Sequence, residues 1–304
     1  MIEMISAILP FFIIMGLGAG IAPFIEREKW IEVLNKYGLF IGFPAIILAS
    51  LTKVRDYSTL DLRIIYANIS ILLISIALIL FISKIARLSK EIRNTYMICS
   101  FWGNVAYLGF PLLSGLYPDS KNVISVIIAV YIIVVFTVGV IILEISQNEK
   151  SIDILLLLKN LLKNPLLLSV LAAIALVKFD IMLPKVLQTS IDMFAASASP
   201  VVLLSLGIFI SRKIQFNKNF IHSAFISSYK LILLPLIFIL ILQFFNFSKI
   251  DSSISIMESA MPLAITPFAL AEIYPLDKEI ISMAVIISTM LSLFTLIAIS
   301  VLIQ

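Results

Sequence analysis

The chain alternates between long apolar stretches and short clusters of charge. The apolar stretches cover residues 4–25, 37–52, 64–83, 94–118, 122–143, 164–177, 193–211, 219–248, 252–271 and 280–304. Most approach or exceed the roughly 20 residues that carry a helix across a bilayer core. Backbone groups in lipid must bond within the protein, which leaves helices or closed barrels. The period-two alternation of a barrel strand does not occur, so the pattern predicts ten helical spans. The longest polar connection, 147–163, is itself half apolar (Ile152, Leu161, Leu162) and is expected to lie along the membrane interface.

Composition agrees. The chain is 61% hydrophobic and 13% charged, with a mean hydropathy of +1.13. A soluble domain carries about 25% charged residues, so this chain lacks the polar surface to be one. The first stretch follows Glu3 and no basic residue, and is expected to stay as a span rather than to be cleaved. A single Cys99 and a single His222 exclude a disulfide framework and a zinc cluster. The formal charge of +4 calls for no nucleic-acid partner. Loops following odd-numbered spans hold twice the Lys and Arg of the others, for example Lys84, Arg87, Lys90 and Arg93 after span 3. Although Lys53, Arg55 and Arg63 count the other way, the bias places the chain in the cytoplasmic membrane with both termini outside.

The prolines recur at a nearly constant offset. Pro10 matches Pro165, Pro44 matches Pro200, Pro111 matches Pro267, and Tyr117-Pro118 matches Tyr274-Pro275. These landmarks divide the chain into one repeat over 1–146, a linker over 147–163 and a second repeat over 164–304. Two copies of a five-span unit in one chain must face opposite ways, which predicts an inverted repeat. Span 4 holds Gly103, Gly109 and Pro111, and span 9 holds Pro262 and Pro267. Helices broken in matching spans point to a substrate site, because freed backbone groups at bilayer depth need protein or a water-filled cavity. A pair of proline kinks without function is the plainer alternative.

Gly103-Asn104-Val-Ala-Tyr107-Leu-Gly109-Phe-Pro111 resembles the span-4 signature of the auxin efflux carrier family, and Met261-Pro262-Leu263-Ala-Ile-Thr266-Pro267 resembles its span-9 signature. Asn164-Pro165, Pro200 and Lys230 with Pro235 also sit where that family has similar residues. The resemblance covers essentially the whole chain and is to the short bacterial type. It implies an all-α membrane fold of ten helices in two inverted five-helix repeats, with broken helices 4 and 9 crossing. It implies a transport bundle of spans 3–5 and 8–10, and a scaffold of spans 1, 2, 6 and 7 that also forms a homodimer face. The implied cargo is a small organic anion such as malonate, moved by alternating access. Plant members have proline where this chain has Gly103, and the family usually has a polar residue at the place of Leu263.

Gly103, Asn104, Tyr107, Pro111, Pro262, Leu263, Thr266 and Pro267 are therefore the substrate-site candidates, and Glu258 with Lys230 the coupling candidates. Asn104 could bond a carboxylate or the freed backbone of span 9. A carboxylate such as Glu258 inside a span is expensive and marks a function by default. It reads either as a proton exchanger or as a static partner of Lys230, while Lys230 could instead bind the anion or snorkel to the interface. Asp192 is expected to cap the start of span 7, Glu272 to face water, and His222 to sit passively at an interface. Ser197 and Ser199 beside Pro200 suit close helix packing.

No cofactor is called for; coupling to protons, to sodium, or a uniport driven by membrane potential all fit. A sodium- or proton-coupled exchanger of the same design usually shows paired acidic residues at the crossing, where this chain has only Glu258. A non-transporting receptor is the alternative from another class. An enzyme is not expected, since paired membrane aspartates, an HExxH motif and a phosphate-binding glycine loop with lysine are all missing from the sequence.

Overall fold

The computed structural model describes residues 2–52, 63–147, 165–212, 217–245, 247–271 and 274–303. Among them every regular element is helical, apart from one isolated backbone bridge. In chain order the α-helices are α1 Ile2–Ile21, α2 Arg27–Tyr37, α3 Phe43–Leu51, α4 Arg63–Ile85, α5 Lys90–Phe101, α6 Phe110–Leu116 and α7 Lys121–Gln147. They continue with α8 Pro165–Lys178, α9 Lys185–Ile210, α10 Lys218–Ser228, α11 Leu234–Leu242, α12 Lys249–Ser259, α13 Thr266–Leu270 and α14 Lys278–Leu302. Among the described residues, seven helical runs are long and apolar enough to cross a membrane, and large apolar side chains such as Leu9, Leu17, Phe81, Met193 and Phe294 cover the outside. That is the surface of a multi-pass membrane protein.

Local sequence sets the ends. Ser89, Ser248 and Asp277 each accept a hydrogen bond from the backbone N–H three residues on, capping α5, α12 and α14. Three joints are π-helical: Gly38–Gly42, Val105–Gly109 and Tyr229–Leu233. Each is followed, two residues later, by a proline: Pro44, Pro111 and Pro235. Proline has no N–H for the carbonyl four residues back and clashes with it. A wide turn moves that carbonyl aside without ending the helix.

Two corrections follow. The charges Glu28, Glu32 and Lys36, expected in a loop, lie on α2, which runs into α3 so that the second span starts at Arg27. Its i,i+4 pair Glu32–Lys36 (2.5 Å) helps a polar first half stay helical. Asp192 does not cap span 7: α9 begins at Lys185, and Asp192 sits about two turns inside, accepting from Gln188. The expected linker lies, but for Gln147 at its first position, outside the described residues, as does Glu272.

Packing divides the helices. α1, α2, α3, α8 and α9 pack on one another, while α4 to α7 and α10 to α14 form the rest of the body. α1 and α9 approach closely at Gly18 and Gly207. A Cβ on Gly18 would lie 3.1 Å from Gly207 Cα, and one on Gly207 would lie 2.8 Å from Met15 Cα.

Candidate functional site

α5 stops at Phe101 and α12 stops at Ser259, and the two interrupted segments cross. Gly103 and Leu263 form an antiparallel bridge. Asn104 N–H donates to the Pro262 carbonyl (2.7 Å), and Ala264 N–H donates to the Trp102 carbonyl (3.1 Å). Leu263 N–H donates to Ser288 Oγ (3.1 Å). Backbone groups that a broken helix leaves open are therefore taken up by the other broken helix. Beyond the crossing, the Asn104 carbonyl accepts from Leu108 and Gly109 and restarts the chain as the π-turn leading into α6. Pro111 withholds the donor that Tyr107 O would have had, and Ser199 Oγ of α9 donates to that carbonyl instead. Ser199, expected to suit close packing, thus holds the restarted helix, while Ser197 bonds Tyr37 of α2.

A cavity of about 600 Å³ reaches this crossing. Trp102, Gly103, Asn104 and Tyr107 form one wall, Thr266 and Phe268 another. Glu28, Glu32, Asn35 and Lys36 of α2 line its mouth. There Arg212 pairs with Glu28 and lies over the rings of Phe209 (4.3 Å) and Phe268 (4.8 Å). Tyr107 stands edge-on to Phe43, centroids 5.0 Å apart. Among the described residues the Asn104 side-chain amide, although buried, makes no hydrogen bond. It has donor and acceptor capacity left for whatever enters the cavity.

Gly103, Asn104, Tyr107 and Thr266 of the sequence candidates line the cavity. Pro262 and Leu263 build the crossing itself, and Pro111 and Pro267 stand in the first turns of α6 and α13, off the cavity wall. Lys230 and Glu258 are fully buried beside the crossing. Lys230 Nζ donates to Ser259 O (2.6 Å), at the C-terminal end of α12 where a cation is favoured. Neither oxygen of Glu258 has a hydrogen-bond partner among the described residues. His222 bonds Tyr96 Oη (2.8 Å), away from the cavity wall. Sequence reasoning missed Tyr131 of α7, which lines the cavity while its buried hydroxyl has no partner among the described residues, and the polar mouth on α2.

Helices that stop and restart around a chamber of this size, inside a body covered with apolar side chains, define a membrane transport protein. The family model described as "Membrane transport protein" matches residues 3–300, and the chain belongs to that family, the auxin efflux carriers. An uncharacterized transporter of Methanocaldococcus jannaschii is 23% identical over 281 residues, covering 90% of this chain and 89% of the relative. The uncharacterized transporter YfdV of Escherichia coli is 23% identical over 285 residues, covering 88% and 87%. Another uncharacterized transporter, from Methanothermobacter thermautotrophicus, is 23% identical over 276 residues, covering 88% of each. The chain is thus a transport protein and not an enzyme.

Proposed function

We propose that this protein is a secondary transporter that moves a small carboxylate across the cytoplasmic membrane by alternating access. The observation that carries the reading is the pair of hydrogen bonds at the crossing, Asn104 N–H to Pro262 O and Ala264 N–H to Trp102 O, at the inner end of an open cavity. They relate the two interruptions by a local two-fold exchange, as two inverted repeats over 1–146 and 164–304 would require. In this reading the seven long helical runs, α8, and the two interrupted pairs α5–α6 and α12–α13 would make up the ten spans.

The cavity offers what a carboxylate needs. The unused Asn104 amide and the Thr266 hydroxyl supply donors, and the restarted helix from Val105 directs its first N–H groups toward the same space. In this reading α1–α3, α8 and α9 are the scaffold, paired with a second copy in the membrane, and the other helices move. The positive loop bias makes the mouth at Glu28 and Arg212 cytoplasmic, so the conformation is inward-open and both termini lie outside.

Uptake into proteoliposomes of malonate, malate, lactate, indole acetate and an amino acid tests the reading. One carboxylate should be taken up saturably, with KM raised about tenfold in Asn104→Ala, the loss expected from about 1.4 kcal/mol of charge-assisted hydrogen bonding. Sodium or proton flux with no anion would replace the reading by a cation exchanger, and no flux of any probe or ion would favour a receptor.

A further inference from the structure

The anion site just described makes no use of the most expensive side chains in the molecule. Glu258 is fully buried, and neither of its oxygens has a hydrogen-bond partner among the described residues. An ionised carboxylate left alone in a protein interior is among the costliest arrangements a fold can contain. Replacing it by a leucine would remove that cost, so its presence asks for a role.

Two glycines of the interrupted span give these groups their room. A Cβ on Gly109 would lie 2.5 Å from Glu258 Oε2, inside the carboxyl group. A Cβ on Gly103 would lie 3.1 Å from both Cε and Nζ of Lys230. Gly103 lines the cavity, so a single backbone segment without a side chain separates the Lys230 ammonium from cargo. The ammonium is held by a carbonyl, Ser259 O, rather than by the carboxylate next to it in the chain. It is placed to turn either way.

α12, which carries Glu258, packs against α4, α7, α11, α14 and the π-turn Val105–Gly109. α4 presents the Asn68 amide, which bonds Ser255. α14 presents hydroxyls, with Ser288 bound to Leu263 N–H. The π-turn presents the backbone at Gly109, and its Tyr107 faces the cavity. The titratable groups in electrostatic reach of Glu258 are Lys230 and the Tyr131 hydroxyl of α7. Tyr131 also lines the cavity, and its hydroxyl is buried without a hydrogen-bond partner among the described residues.

We propose that Glu258 is the proton carrier of this transporter and that Lys230 is the cation it shares with the carboxylate of the cargo. The proposal rests on the anion-carrier reading above. With the cavity empty, Lys230 balances the ionised Glu258. A cargo carboxylate at Gly103 and Asn104 draws the ammonium to itself, and Glu258 takes a proton from the water of the chamber. On the opposite side the cargo leaves, the O–H bond of Glu258 breaks, the proton passes to water and Lys230 returns. One proton travels with one carboxylate, so a monoanion crosses without net charge. A sodium ion suits the cluster less, because it would sit beside the ammonium. Among the described residues no group of three or more acidic, His or Cys side chains gathers there or elsewhere.

The test uses the purified full chain in proteoliposomes, with labelled lactate and malonate and protein-free liposomes as the baseline. A one-unit inward acid gradient should raise lactate accumulation about tenfold, the ratio that one unit of pH carries when one proton accompanies one anion. In Glu258→Gln the ratio should fall to about one, and Glu258→Asp, which keeps a carboxyl, should restore part of it. A Glu258→Gln protein that responds to acid like the wild type overturns the proposal. So does accumulation driven by sodium instead of acid. Infrared difference spectra of the same preparations without cargo, taken between neutral and acid pH, read the protonation of the carboxyl directly. A protonated C=O stretch that titrates in the wild type and is missing in Glu258→Gln supports a proton carrier; a wild-type spectrum without it overturns one. Transport of neither anion together with a titrating band counts against the anion reading alone.

Discussion

Glycine serves two of the helix crossings differently. Where α1 crosses α9, Gly18 and Gly207 bring two continuous helices into contact, and the atoms nearest either glycine belong to the backbone. Where α5 and α12 end, Gly103 and Gly109 leave space for an ammonium and a carboxyl, and the backbone itself is interrupted. The first crossing is an all-van der Waals contact of the kind that holds helices together in lipid. The second gives up two helices' worth of regular hydrogen bonds to keep charge beside a cavity. A Cβ therefore costs stability at the first crossing and function at the second.

The largest stability effect is expected at the first. A methyl at Gly207 meets backbone, which cannot swing away. Gly207→Ala should lower stability by about 1–3 kcal/mol, the usual cost of overfilling a packed contact, seen as a lower unfolding temperature in detergent. Protein that survives should keep its KM. A Gly207→Ala variant as stable as the wild type would mean that α1 and α9 slide freely, and the division into a rigid and a moving half would lose its support.

At the second crossing the neighbour is the tip of a flexible lysine. Gly103→Ala meets Lys230 at 3.1 Å, and a few tenths of an ångström of movement relieves the contact. The stability change should stay within about 1 kcal/mol, while saturable uptake falls because the added methyl stands between ammonium and cargo. Equal loss of stability and uptake would make Gly103 a packing residue like Gly207.

The same contrast shows what the sequence made legible. Prolines and glycines are exceptions in apolar helices, so Pro111, Pro262, Gly103 and Gly109 marked the interruptions. Glu258 and Lys230 stood out as charges within apolar stretches. Tyr131 did not, because a tyrosine in Val130-Tyr131-Ile132 reads like any aromatic filler, and only the fold brings it to the cavity wall. The α2 charges misled for the opposite reason. Four charges within nine residues, Glu28, Lys29, Glu32 and Lys36, suggest a loop, yet α2 runs unbroken into α3 and so carries three of them to the cavity mouth. The π-turns were likewise hidden, since proline announces a broken hydrogen bond but not whether the helix kinks, stops or widens. Whether Lys230 faces Glu258 or a backbone carbonyl depends on side-chain rotamers, which spacing along a helix does not encode.

The smallest effect is expected at the mouth, where the two halves also meet. Arg212 follows α9, pairs with Glu28 of α2, and lies across Phe268 of α13. Glu28 is largely exposed, so the ion pair contributes about 0–1 kcal/mol, and less as salt rises. The Phe268 contact adds about 0.5–1 kcal/mol if the mouth stays wet. Arg212→Gln should therefore change uptake less than twofold at physiological salt, with the difference growing at low salt. A loss of tenfold or more that is insensitive to salt would mean that Arg212 contacts the cargo itself. The mouth would then belong with the second crossing as part of the binding site, and the candidate site would extend from Asn104 out to the end of α9.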